Sequence, residues 1–111
     1  MLVLRNEQLK AFEENGKQDF VNRAKLFLLE QYPIQAKEYS QSQLEELIKN
    51  ASDRSLNYGI KTEQGIMCFI VLMFEWALDF DTNLNYKWVQ PVLNSKEKDE
   101  EDKIEVLFGK L

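Results

Sequence analysis

Nine consecutive apolar residues, Ile66-Met67-Cys68-Phe69-Ile70-Val71-Leu72-Met73-Phe74, run unbroken until Glu75. A segment apolar on every side has no face for water, so other elements must enclose it. A bilayer span needs about 20 apolar residues, so this run reads as the middle of a protein core. Two backbone forms compete for it. A buried strand suits the branched and aromatic residues around Ile70 and Val71. A helix suits the flanks: Thr62 offers an N-cap, Glu63 puts an acid in the first turn, and apolar character resumes at Trp76-Ala77-Leu78. The total of about 16 residues exceeds ordinary strand length, and the spacing predicts a central helix over about 63–78.

An enclosing shell must come from the remainder of 111 residues, the length of one domain, so residues 1–111 are read as a single helical domain. Area scaling lets a chain of this size bury about two-thirds of its extended surface, enough for a core without disulfides or a metal. Helical spacing is clear elsewhere, whereas alternating patterns rarely persist for five positions. A first helix is expected after the N-cap Asn6, with Leu9, Phe12, Phe20, Ala24, Phe27 and Leu28 on one stripe. Asn15-Gly16 either kinks it, splits it or admits a close neighbour. Pro33 ends it, because the residue before proline avoids the helical region. A second helix begins near Ser40 or Ser42, where Ser42-Gln43-Leu44-Glu45 reads as a capping box. It buries Leu44, Leu47, Ile48 and Ala51 and closes at Gly59, a left-handed C-cap candidate. After the central helix, 79–83 read as a turn. Tyr86 to Leu93 form a short helical piece with Trp88 and Leu93 inward and Pro91 near its first turn. A last helix over about 99–109 carries Ile104, Leu107 and Phe108 on one face. The fold class expected is all-α: an orthogonal bundle of about five helices around the central one.

Composition removes most catalytic chemistries. Histidine is absent, which takes away the usual general base and metal ligand. The single cysteine forms no internal disulfide and no thiolate zinc site. Cys68 lies among Met67, Phe69 and Ile70, where an apolar setting raises its pKa and keeps it inert. A formal charge of −5 disfavours nucleic acid. The first seven residues carry no basic n-region or apolar h-region, so they do not read as a secretory signal. The lone thiol suits a reducing cytoplasm.

The residues that invite a role cluster after the central helix. Glu75 and Asp79, four apart, share a helix face and lie near Asp81. Such carboxylates serve acid/base chemistry, hold a hard cation, cap the next turn or form a recognition patch. Asp79, Asp81, Asn83 and Asn85 begin like a calcium loop, but Leu84 stands where that loop needs glycine and Gln90 where it needs glutamate. No cofactor or metal is therefore expected. Thirteen aromatic residues, seven Phe, four Tyr and two Trp, should mostly be core; Tyr58, Trp76, Tyr86 and Trp88 cluster around the central helix and its exit, and one or two of them exposed beside Asp79 and Asp81 would make interface anchors. The run Lys96 to Lys103, with five acids and three lysines, reads chiefly as a solvated helix start, with electrostatic steering of a basic partner as the alternative.

Arg5-Asn6-Glu7-Gln8 with Phe12, then Tyr58-Gly59-Ile60-x-Thr62-Glu63, Leu72-Met73-Phe74, Phe80-Asp81 and Trp88, resemble a family of small helical proteins encoded in bacterial type VI secretion clusters beside secreted effectors. The resemblance covers about residues 5 to 93, omits the last helix and Cys68, and carries no catalytic motif onto this chain. It implies a role beside an effector, either holding it for delivery or neutralising it. The expected function is thus a non-catalytic module that binds a secreted effector or toxin, as immunity protein or chaperone/adaptor. Glu75, Asp79, Asp81, Tyr86 and Trp88 are the candidate contacts. A small acid/base enzyme using Glu75, Asp79 and Asp81, or a homo-oligomeric structural bundle, is the alternative. Neither nucleic acid nor a membrane is an expected partner.

Overall fold

The structure is a computed structural model that describes residues 17–111. The expected helix start after Asn6, the positions Leu9 and Phe12, the Asn15-Gly16 break and the first part of the family resemblance lie outside those residues. Every regular element among the described residues is helical, so the strand alternative for 66–74 is replaced by helix.

Helix α1 (Lys17–Gln31) buries Phe20, Val21, Ala24, Phe27 and Leu28 along one stripe, as its spacing dictates. Tyr32 breaks the helix with φ −130° and ψ 58°, a conformation its proline neighbour favours by clashing with the helical one. Pro33 then occupies the first turn of a short helix, α2 (Pro33–Ala36), where its missing N–H costs nothing.

Helix α3 (Gln41–Asn57) starts two residues before the box read at Ser42. Ser40 is the N-cap: its side chain accepts from the Gln43 N–H, and the Gln43 side chain accepts from the Ser40 N–H. Ser40 to Gln43 satisfies the same box pattern, and starting there adds hydrogen-bonded residues to a nucleus already formed. Gly59, at φ +78°, terminates α3 in the left-handed region where glycine carries no Cβ penalty.

Helix α4 (Glu63–Glu75) is the central element. Thr62 caps it, its side-chain oxygen accepting from the Gly65 N–H at 2.9 Å. Gly65 and every residue from Met67 to Phe74 are buried. The last helical residue is Glu75, three residues short of the expected 63–78, with Trp76 as the C-cap. The reason is tertiary. Phe69 and Phe80 have ring centroids 4.9 Å apart, whereas eleven residues of continuous helix would separate them by about 16 Å. The chain must turn back at 76–80 to bring Phe80 into the core.

A 3₁₀ turn (Leu84–Tyr86) leads to α5 (Val89–Leu93), which points Val89 and Leu93 inward. Trp88, expected inward, is 37% exposed, because the helix starts one residue after it and Val89 takes the core position. Helix α6 (Glu100–Phe108) opens at the N-cap Asp99 and buries Leu107. Helix α4 lies between α3 and α6, α1 packs against α3 and α2, and α5 packs against α6. Met67 to Phe74 are buried by this shell, so among the described residues a site lies at the ends of α4 or on the outside.

Candidate functional site

The N-terminal end of α4 is closed by charge brought from α6. The Glu100 carboxylate accepts from the backbone N–H groups of Lys61 and Thr62 and from the Thr62 hydroxyl at 2.5 Å. One helical turn later, the buried Lys103 ammonium donates to the Tyr58 carbonyl at 2.7 Å. A carboxylate thus sits at the positive end of α4 and an ammonium at the negative end of α3. Part of the charged run from 96 to 103 therefore anchors α6, contrary to the solvated reading for Glu100 and Lys103. Gly65 permits this approach: a Cβ there would stand 2.9 Å from the Glu100 carboxyl carbon and 2.8 Å from Ile60.

The C-terminal end of α4 separates the three acids that the sequence grouped. Glu75 accepts from the Tyr32 hydroxyl at 2.6 Å, and Gln35 donates to the Phe74 carbonyl at 3.1 Å, so α2 closes this end. Burial pushes the Tyr32 hydroxyl well above the usual tyrosine range, and the hydrogen bond and charge of Glu75 push the same way. Asp79 does not share a helix face with Glu75, because the helix has already ended. It is exposed, and its side chain accepts from Asn83 at 3.1 Å while its carbonyl accepts from the Thr82 and Asn83 N–H groups. This is the turn-capping role.

Asp81 is inside the protein, at 3% exposure, and cannot be a surface contact. Its carboxylate meets the Arg54 guanidinium and accepts from the Tyr58 hydroxyl at 2.9 Å. Arg54 also donates to the Leu78 carbonyl at 2.9 Å, and Gln90 donates to the Asp81 carbonyl. The network ties the end of α3 to the turn after α4 and to α5. A nearly buried carboxylate is tolerable here because its charge is paired and its oxygens are hydrogen-bonded. Burial and the Asp81 bond raise the Tyr58 hydroxyl.

The aromatic residues do converge. Phe69, Phe80, Trp76 and then Tyr86 and Trp88 form a chain of ring contacts running from the core to the surface. Trp76 stacks on Tyr86 at 5.6 Å and meets Trp88 edge-on at 5.5 Å. A cavity of about 340 Å³ opens among Trp76, Tyr86, Trp88 and Lys110, with the Lys110 ammonium 5.9 Å from the Trp88 ring. Leu84, in the same 3₁₀ turn as Tyr86, is 76% exposed.

Comparison with known proteins returns no matching family, no similar curated protein and no similar solved structure.

Sequence reasoning missed Arg54, Leu84 and Lys110. Leu84 left a trace, being an isolated apolar residue between Asn83 and Asn85 with no period to join. Arg54 and Lys110 left none, since their partners lie far along the chain. Among the described residues, no group of three His, Cys, Asp or Glu side chains is spaced to hold a metal ion. Burial and the nearby Glu100 charge push the Cys68 thiol up to about 12, so it stays protonated at neutral pH. No helix of the described residues is long and apolar enough to cross a membrane.

Proposed function

We propose that this chain is a non-catalytic protein-binding module whose contact surface is the aromatic corner of Trp76, Tyr86 and Trp88, extended by Leu84 and the exposed Asp79. The observation that carries the reading is Leu84 at 76% exposure, in the turn that also delivers Tyr86 to the ring stack. Internal packing does not need that side chain, whereas a partner pocket would gain from covering it. The three acids support binding rather than proton transfer, since Glu75, Asp79 and Asp81 each hold a different neighbour and share no reacting centre.

The partner we propose is a secreted effector or toxin of a type VI secretion cluster, met in the cytoplasm; this identity rests on the family resemblance. A net charge of −5 suits a basic partner surface by speeding the encounter. Size-exclusion chromatography with the product of the neighbouring effector gene tests the proposal. A complex at micromolar concentration is expected, lost in Leu84→Asp/Trp88→Ala while the circular dichroism spectrum is kept. No complex, or one indifferent to the double substitution, overturns the site. An immunity protein rescues cells that express the toxin, whereas an adaptor changes only its export. Sedimentation as a dimer that Leu84→Asp dissolves would give the corner to a second copy instead.

A further inference from the structure

A second groove, of about 510 Å³, runs between the first half of α4 and the outer face of α6. It is separate from the aromatic corner, which lies at the other end of α4. Gly65 and Cys68, three residues apart, form a floor of small side chains, and Ile104 and Phe108, four apart, form an apolar wall that stays half-buried. Glu101 and Glu105 stand on the rim, both exposed, and none of the lining residues among the described ones is basic.

The two rim acids have no ion-pair partner among the described residues. They are four apart on one helix, a like-charge spacing that destabilises the helix carrying it. Glu100, next in the sequence, is held at the N-terminal end of α4 and adds a third carboxylate to the groove. An apolar trough edged by uncompensated negative charge selects by both features. It repels acidic segments and phosphate backbones, and it rewards a ligand that brings apolar side chains together with cations. We propose that this groove docks a basic amphipathic helix from another protein, with apolar side chains against Ile104, Phe108 and Cys68 and Lys or Arg opposite Glu101 and Glu105. Recognition of a helix by apolar anchors at three- and four-residue spacing is an established mode of groove binding. The proposal stands independently of the aromatic corner.

The probe is a synthetic amphipathic helix of leucine and lysine, about 16 residues long, titrated into the ¹⁵N-labelled protein. The expected amide shifts fall at Gly65, Cys68, Ile104 and Phe108. The neutralised pair Glu101→Gln/Glu105→Gln should weaken binding about fivefold and reduce its salt dependence. Glu46→Gln/Asp53→Asn, which removes the same charge from the exposed face of α3, should change affinity less than about twofold. Circular dichroism confirms that both variants fold. Equal weakening by the two pairs would reduce the effect to net charge and overturn the groove. So would shifts at the Trp76 and Trp88 indoles alone, equal binding of a leucine–glutamate peptide, or no shift at millimolar peptide.

Discussion

The two ends of α4 are both sealed, but by different means and with different consequences. At the N-terminal end, Glu100 and Lys103 reach across from α6 and satisfy the backbone groups of the 58–62 connection. At the C-terminal end, Tyr32, Gln35 and Arg54 cover Glu75, the Phe74 carbonyl and Asp81, yet a stack of rings and Leu84 still reach the surface. Side chains satisfy backbone groups at both ends, and the C-terminal end adds a ring stack that reaches the surface beside Leu84, 76% exposed. The N-terminal end keeps its apolar side chains half-buried in a groove edged by acids, so the two ends would suit different partners.

The sharpest way to break the comparison is to remove the rod that both ends share. Phe69→Ala, at a fully buried ring touching Tyr58 and Phe80, should cost about 3–5 kcal/mol in urea unfolding. A loss under about 1 kcal/mol would mean the two ends fold independently of the centre.

Alkaline pH acts on both ends together. The Cys68, Tyr32 and Tyr58 groups all have raised pKa values in the folded protein, so above the unfolded values of 9.0 and 10.0 the folded state holds more protons than the unfolded one. Stability is therefore full below pH 9.0 and falls as pH rises towards about 12. Denaturant midpoints measured from pH 8 to 11 should decline, and Cys68→Ala should flatten the slope.

At the C-terminal end, Asp81→Ala should cost about 2–3 kcal/mol, because it strips the partly buried Arg54 of its counter-charge. A neutral result would mean that the Arg54 pairing contributes nothing to holding the turn after α4. At the N-terminal end, Lys103→Met removes the cation on the α3 terminus and should cost about 1 kcal/mol, with α6 amides exchanging faster. The smallest effect belongs to Leu84→Ser, expected within about 0.5 kcal/mol of wild type. If this change abolishes partner binding at unchanged stability, the distinction between the two ends holds; a large stability loss would make Leu84 part of the core.

The central helix was legible because nine apolar residues followed a cap and an acid, a pattern that needs no tertiary information. Gly59 was legible for the same reason, since only a backbone position with positive φ asks for glycine after Tyr58. The capping box at Ser40 was half legible: two serines offered the same motif, and local pattern does not rank them. Trp88 was misread because the register of a five-residue helix depends on where it begins, and Val89 fits the pocket instead. The acidic constellation was the deepest misreading. Glu75, Asp79 and Asp81 looked alike by spacing, but one lies on Tyr32, one caps a turn and one is buried against Arg54.

By itself the sequence determined that residues 66–74 must be enclosed by helices, because a segment without a polar face has no stable position in water. It also determined the caps at Thr62 and Gly59, because hydroxyl capping and left-handed backbone are local requirements. Tertiary structure alone decided where α4 stops, since Phe80 had to fold back onto Phe69. It alone decided which acids face inward, since Arg54 is 27 residues from Asp81 along the chain. It alone decided that Leu84 and Trp88 remain outside. Coulombic pairing and ring packing act across space, and a linear spacing carries no record of either.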